Sequence, residues 1–208
     1  DQGRGGARGL GGLLAALVLL AFGALQLGAL GHPLFWQDEG ETVMFGQRVL
    51  EYGYPKVHAD GNVVYGIGVP LEQGVDADSD AYGGSLWGQY YLAALAVWLA
   101  GDDGDLYRHT AQVRFSFALI GMLGLGVLFL AARTALAGGR WGLSVSVGAY
   151  GLLLCFSTSL MLHLREVRYY APALFLLAVV VWLQSNRPPG RGEAGPGPAA
   201  GMAFALLL

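Results

Sequence analysis

A chain of 208 residues that is 54% hydrophobic and only 13% charged, with a mean hydropathy of +0.48, falls far short of the roughly one-quarter charged composition of soluble domains. A formal charge of −3 excludes the basic footprint of a nucleic-acid binder, and the single cysteine, Cys155, excludes an internal disulfide. What remains is a membrane protein.

In chain order, the first predicted element is an uncharged run, Leu10–Leu30, whose one strongly polar residue is Gln26. It is too long for a signal-peptide core, and no small-residue cleavage pattern follows it. A large polar loop, 31–109, comes next. Three further apolar runs occupy 115–132, 141–162 and 169–184, and a fifth opens at 199–208. That last stretch is shorter than the roughly 20 helical residues a bilayer requires, so the sequence reads as the N-terminal part of a longer protein. Between the fourth and fifth runs, "SNRPPGRGEAGPGP" (185–198) is a flexible Pro/Gly-rich linker. The expected fold class is all-α and polytopic.

Basic residues divide evenly between the two sides, but short loops set orientation. Arg4, Arg8, Arg133 and Arg140 sit in short, acid-poor segments, which places the N-terminus and the 133–140 loop in the cytoplasm. Residues 31–109 and 163–168 then face outward, and the 185–198 linker is cytoplasmic. Twelve of the fifteen acids and three of the four histidines lie in the large outward loop, and His163 joins them from 163–168. Within the loop, the eleven-residue stretch Tyr90–Ala100 is too short to span and is expected as a helix on the membrane surface.

Three stretches carry chemistry. In "HPLFWQDEGETVMFGQRVLEYGYP" (32–55), Asp38 stands where a helix N-cap would, Glu41 follows three residues on, and Gly53 and Pro55 end the helix. One reading is a capping acid on a surface helix. The other is a catalytic carboxylate held where a lipid-borne and a water-borne substrate meet, and the two are compatible.

In "MLHLREVRYYAPALF" (161–175), His163, Arg165, Glu166 and Arg168 cluster between apolar runs and precede Tyr169 and Tyr170. On a helix, Arg165 and Arg168 would share a face. They either snorkel to headgroups or grip a phosphate through the bidentate fork that Arg supplies. In "DADSD" (76–80) a calcium-loop pattern begins but fails at Ala81 and Trp87, so a solvated acidic loop is the better reading. That loop is the one candidate for a divalent cation. No cofactor is expected.

The order of these stretches, from "FWQDE" through "LEYGYP" and "WGQYYLAALAVWLAG" to "HLREVRYYAPALFLLA", resembles the N-terminal half of family-39-type glycosyltransferases of the GT-C superfamily. Protein O-mannosyltransferases and lipid A aminoarabinose transferases are relatives in that superfamily. The resemblance runs from about Leu10 to Leu183. It implies a multi-pass enzyme of the plasma membrane with a GT-C-like helix bundle and an extracytoplasmic active site. The enzyme would take a sugar from a polyprenyl-phosphate donor and pass it to an extracytoplasmic protein, lipid or glycan.

Carried over by position, the resemblance makes Asp38 the general base and Glu39 its companion. Its Arg/Tyr-rich motif matches Arg165, Arg168 and Tyr169, at the donor phosphate; from their place in the same stretch, Tyr170 is expected to line the headgroup site and His163 to add a hydrogen bond. A Lys-Pro-Pro segment found in some relatives is missing before "WGQYY". Lys56 and Arg108 are the candidates to replace a phosphate-binding lysine from this loop. The alternative reading is a transporter or lipid flippase, which would place ionisable groups near the bilayer midplane on broken helices.

Overall fold

The computed structural model describes residues 2–59, 62–63, 74–76, 78–101, 104–135 and 142–186. Among these it is predominantly helical. In chain order the helices are α1 (Gln2–Leu27), α2 (Gln37–Tyr52), α3 (Gly88–Ala100), α4 (Leu106–Ala135), α5 (Leu143–Phe156), α6 (Thr158–Arg165) and α7 (Tyr170–Ser185). Two antiparallel pairs of two-residue strands lie between α2 and α3: β1 (His58–Ala59) with β2 (Asn62–Val63), and β3 (Val75–Asp76) with β4 (Ala81–Tyr82). The expected linker beyond Asn186 and the expected fifth run lie outside the described residues.

The chain divides into two compact units. Among the described residues, one contains 2–28, 120–135, 142–164 and 171–186; the other contains 29–59, 62–63, 74–76, 78–101, 104–119 and 165–170.

In the first unit, small residues let helices approach closely. A side chain at Gly151 would meet Val18 of α1 at 2.7 Å, and one at Gly124 would meet the Phe175 backbone at 3.0 Å. The Tyr150 hydroxyl donates to the Leu125 carbonyl at 3.0 Å. Large apolar side chains remain exposed on α1, α5 and α7, among them Leu20, Leu153, Phe156 and Leu176.

Two elements depart from the apolar runs. The helix expected from residue 115 begins at Leu106, because the Asp105 carboxylate accepts the Tyr107 and Arg108 N–H groups at 2.9 and 3.3 Å and caps it. The third run is not one helix. It breaks at Ser157, which leaves the helical region at φ −89° and ψ 70°, and α5 and α6 meet at an 80° bend. Among the described residues, 106–132 is the one helix long and apolar enough to cross a membrane by itself. The bent α5–α6 pair qualifies only jointly, and 12–27 and 170–185 are shorter apolar helices.

In the second unit, α2 lies against α3. Gly46 makes this approach feasible, since any Cβ there would sit 2.9 Å from Ala93. Phe45, Val49, Tyr90 and Ala94 form a small core, with Tyr82 stacked on Phe45 at 4.8 Å. Burial pushes the Tyr90 hydroxyl well above its ordinary pKa. Gly53, at φ 84°, returns its N–H to the Val49 carbonyl at 2.9 Å and ends α2 with the left-handed cap that glycine favours. Buried Arg48 then ties the following turn down through the Lys56 and Val57 carbonyls. The first turn of α2 is thereby carried on a packed platform.

Candidate active site

The second unit holds Asp38 and Glu39 together with Arg165, Arg168, Tyr169 and Tyr170. The two neighbouring acids have opposite environments.

Glu39 is fully buried. Its Oε1 accepts Arg114 Nε at 2.9 Å and the Val167 N–H at 2.9 Å. Its Oε2 accepts Arg114 Nη2 at 2.5 Å and the Trp36 N–H at 3.4 Å. Arg114 spends its remaining donors on backbone: Nη1 on the Leu30 and Pro33 carbonyls at 2.8 and 2.6 Å, and Nη2 on Leu34 at 3.3 Å. All five guanidinium protons thus have an acceptor. The pair staples the segment 30–36, α2, α4 and the 165–168 segment together. Arg114 was assigned no role from sequence. Its signal was a lone cation between Val113 and Phe115 at the mouth of the longest apolar helix.

Asp38 is one residue away and half-buried. Its Oδ2 pairs with Arg168 Nη1 at 2.8 Å. It is not the N-cap expected from sequence. The helix begins two residues earlier than that cap implies, at Gln37, Trp36 occupies the cap position, and Glu39 reaches back to the Trp36 N–H. The Asp38 carboxylate is therefore not consumed by capping, and in the first turn it also meets the positive end of the helix dipole.

Arg165 and Arg168 do not share a helix face. Helix α6 ends at Arg165 because the next helical donor, the Val167 N–H, is taken by Glu39 instead. The chain turns tightly, with the Arg168 N–H on the Glu166 carbonyl at 2.8 Å. The turn delivers the Arg168 side chain to Asp38. Its guanidinium carbon lies 5.7 Å from the centre of the Tyr169 ring, and the Tyr169 and Tyr170 rings are 4.4 Å apart. The Arg168 Nε is buried and has no hydrogen-bond partner among the described residues.

The other candidates stand elsewhere. The Lys56 ammonium lies over the Tyr52 ring at 4.5 Å. Arg108 is exposed on the first turn of α4, behind its Asp105 cap. His163 belongs to the first unit. In the acidic stretch 76–80 the Ser79 hydroxyl donates to Asp76 at 2.5 Å, while Asp80 receives the His58 N–H from outside the stretch at 3.0 Å. Among the described residues no cluster of three or more His, Cys, Asp or Glu is placed to hold a metal ion.

The arrangement can do two things chemically. A solvent-reachable carboxylate can take a proton, and a guanidinium beside it with an unused donor can take an anion. No family model, no curated protein and no solved structure matches this chain.

Proposed function

We propose that this chain is part of a multi-pass glycosyltransferase of the plasma membrane. It moves a sugar from a polyprenyl-phosphate donor to an extracytoplasmic acceptor. The observation that carries the reading is the Asp38–Arg168 pair: a half-buried acid and a phosphate-competent cation 2.8 Å apart, with the Tyr169–Tyr170 rings next to the cation. Two further observations support a membrane setting. One helix is long enough to cross a bilayer, and α1, α5 and α7 expose leucine-rich surfaces that water would disfavour.

In the proposed reaction Asp38 accepts the proton of the acceptor hydroxyl or amine. The freed electron pair bonds the anomeric carbon, and the bond from that carbon to the phosphate oxygen breaks with its electrons left on the phosphate. Charge grows on the departing polyprenyl phosphate, where Arg168 and Arg165 oppose it. Glu39 holds the geometry from beneath, through Arg114 and Val167.

The test is transfer of a radiolabelled sugar from its lipid phosphate by the whole protein in nanodiscs. Asp38→Asn keeps the side chain's size, and its rate is expected to fall by about 10² to 10⁴, the usual worth of a general base. Near-normal transfer by a folded Asp38→Asn protein refutes the reading.

A further inference from the structure

Asp38 and Arg168 cannot both do their proposed work while they hold each other. The Asp38 oxygen that faces the cation is occupied, and the cation's charge is already partly answered. Resting on the glycosyltransferase reading, we infer that Arg168 is a latch on Asp38 that donor phosphate releases, so that the base becomes free only once the donor is bound.

The molecule contains its own reference for what a guanidinium does when its best edge is used. Arg114 presents Nε and Nη2 side by side to the two oxygens of Glu39. The shortest contact from Arg168 to Asp38 is made by Nη1, at 2.8 Å, and among the described residues its buried Nε has no partner. A buried unanswered N–H is unfavourable and persists only if something holds the group in that orientation. The Asp38 contact is the restraint visible here, together with the Tyr169 ring near the guanidinium. Because Nε is sealed from solvent in this orientation, an incoming phosphate reaches the Nε–Nη2 edge only if the guanidinium swings, and that swing withdraws Nη1 from Asp38.

The balance of interactions favours the exchange. A partly exposed ion pair is a weak contact, whereas a phosphate gripped by the Nε–Nη2 edge gains two charge-assisted hydrogen bonds and satisfies the orphaned donor. The backbone does not have to move, because the turn at 166–168 is pinned by the Glu166 carbonyl and by the bond from Val167 to Glu39. Only the side chain of Arg168 switches. Freeing the base after the donor arrives also keeps the acceptor's proton in place until there is a sugar to transfer. Arg168 is in this sense a positioning residue for Asp38 as well as a ligand for phosphate.

The latch makes an unusual prediction: removing the base should improve donor binding. Affinity for undecaprenyl phosphate is measured in phosphatidylcholine nanodiscs for the whole protein, Asp38→Asn, Arg168→Gln and the double variant. Inorganic phosphate and phosphatidylglycerol serve as separate probes. Asp38→Asn is expected to bind the polyprenyl phosphate about two- to fivefold more tightly, the scale of a released surface-type ion pair. Arg168→Gln is expected to bind at least about tenfold more weakly, the scale of a lost charged hydrogen bond. The double variant should match Arg168→Gln, because without the arginine there is nothing for Asp38 to hold.

Unchanged or weaker binding by Asp38→Asn, with weak binding by Arg168→Gln, overturns the latch and leaves the phosphate reading intact. Unchanged binding by Arg168→Gln overturns both. If inorganic phosphate or phosphatidylglycerol shows the same gain in Asp38→Asn, the switch answers to any phosphate and the commitment to a polyprenyl donor fails. Should Asp38→Asn not fold, judged by its thermal midpoint and size-exclusion profile, Asp38→Ser removes the same charge and carries the same expectations.

Discussion

Glu39 and Asp38 are adjacent on the first turn of α2, yet one is sealed and saturated while the other is half-open and, among the described residues, paired with Arg168. The side chains of the Glu39–Arg114 pair are 0% and 7% exposed, and those of the Asp38–Arg168 pair are 34% and 17% exposed. On the proposed reading, the contrast separates stability from chemistry within two residues. A carboxylate with four donors on its two oxygens has nothing left to offer a substrate. One with a displaceable partner does. A third pair, His58–Asp80, extends the series toward solvent at 44% and 27% exposed. If burial decides what each pair does, disruption should cost less at each step along it.

The largest effect is expected at the sealed pair. Glu39→Ala strands the Arg114 charge among backbone carbonyls and orphans the Val167 N–H, and removing one partner of a buried pair costs about 3–5 kcal/mol. Thermal unfolding in detergent should show a large loss for Glu39→Ala and for Arg114→Ala. Replacing both with apolar residues should recover part of it, since no charge is then stranded. Recovery should stay incomplete, because the carbonyls of Leu30 and Pro33 lose their donor either way. A Glu39→Ala protein as stable as the parent would erase the distinction between the two acids.

The platform beneath both acids comes second. Gly46→Val drives a side chain into Ala93 and the start of the Ala94 backbone, each 2.9 Å from the new Cβ. Overpacking of this kind costs about 1–3 kcal/mol. The same unfolding measurement should place Gly46→Val between Glu39→Ala and any Asp38 variant. An unaltered midpoint would mean that α2 does not depend on α3 for its seat.

The open pair comes third for stability and, on the proposed reading, first for function. Asp38→Asn and Arg168→Gln break an ion pair that solvent reaches, which is worth about 0–1 kcal/mol. Their midpoints should stay near the parent's while transfer collapses. A destabilisation as large as that of Glu39→Ala would make Asp38 a second structural acid and remove the reason to assign it chemistry.

How much of this was legible in the sequence differs between the same two acids. Apolar runs marked the helical segments, and Gly53 and Pro55 marked the end of α2, because these are local signals. The "DE" dipeptide drew notice to both acids but gave no means of telling their roles apart. What distinguishes them is a donor 75 residues away in Arg114 and another 128 residues away in Val167. No local period encodes such partners. The same Val167 contact defeated the helical spacing argument for Arg165 and Arg168, since it stops α6 where composition alone would continue it. The break at Ser157 was hidden for a related reason: "CFSTSL" is apolar enough on average to read through, while Ser and Thr side chains give the backbone alternative partners.

The smallest effect is expected at His58–Asp80, where the sign with pH can be worked out. Burial alone would raise the Asp80 carboxyl, but hydrogen bonds from the His58 ring and N–H, with the charges of His58 and Lys56, outweigh it and hold the group below the usual carboxylate range. A carboxylate lowered on folding contributes stability that is fully present above the unfolded value of about 3.9 and is lost as pH falls through the folded value. On the side of the Asp80 carboxylate, the contribution should therefore fade only below about pH 4. Asp76 is lowered too, by the Ser79 hydroxyl and the Asp78 N–H, so the parent's acid response alone does not isolate Asp80. Asp80→Asn does, and asparagine tolerates the positive φ of 56° at this position. The measurement is amide exchange at Val57 and His58, whose N–H groups bond the Asp80 carbonyl and carboxylate. Protection of His58 should be higher in the parent than in Asp80→Asn at pH 6, and the two should converge near pH 3. A difference that persists at pH 3 would show that the carboxylate's charge is not what holds the turn, and the burial series would then stop at the Asp38 pair.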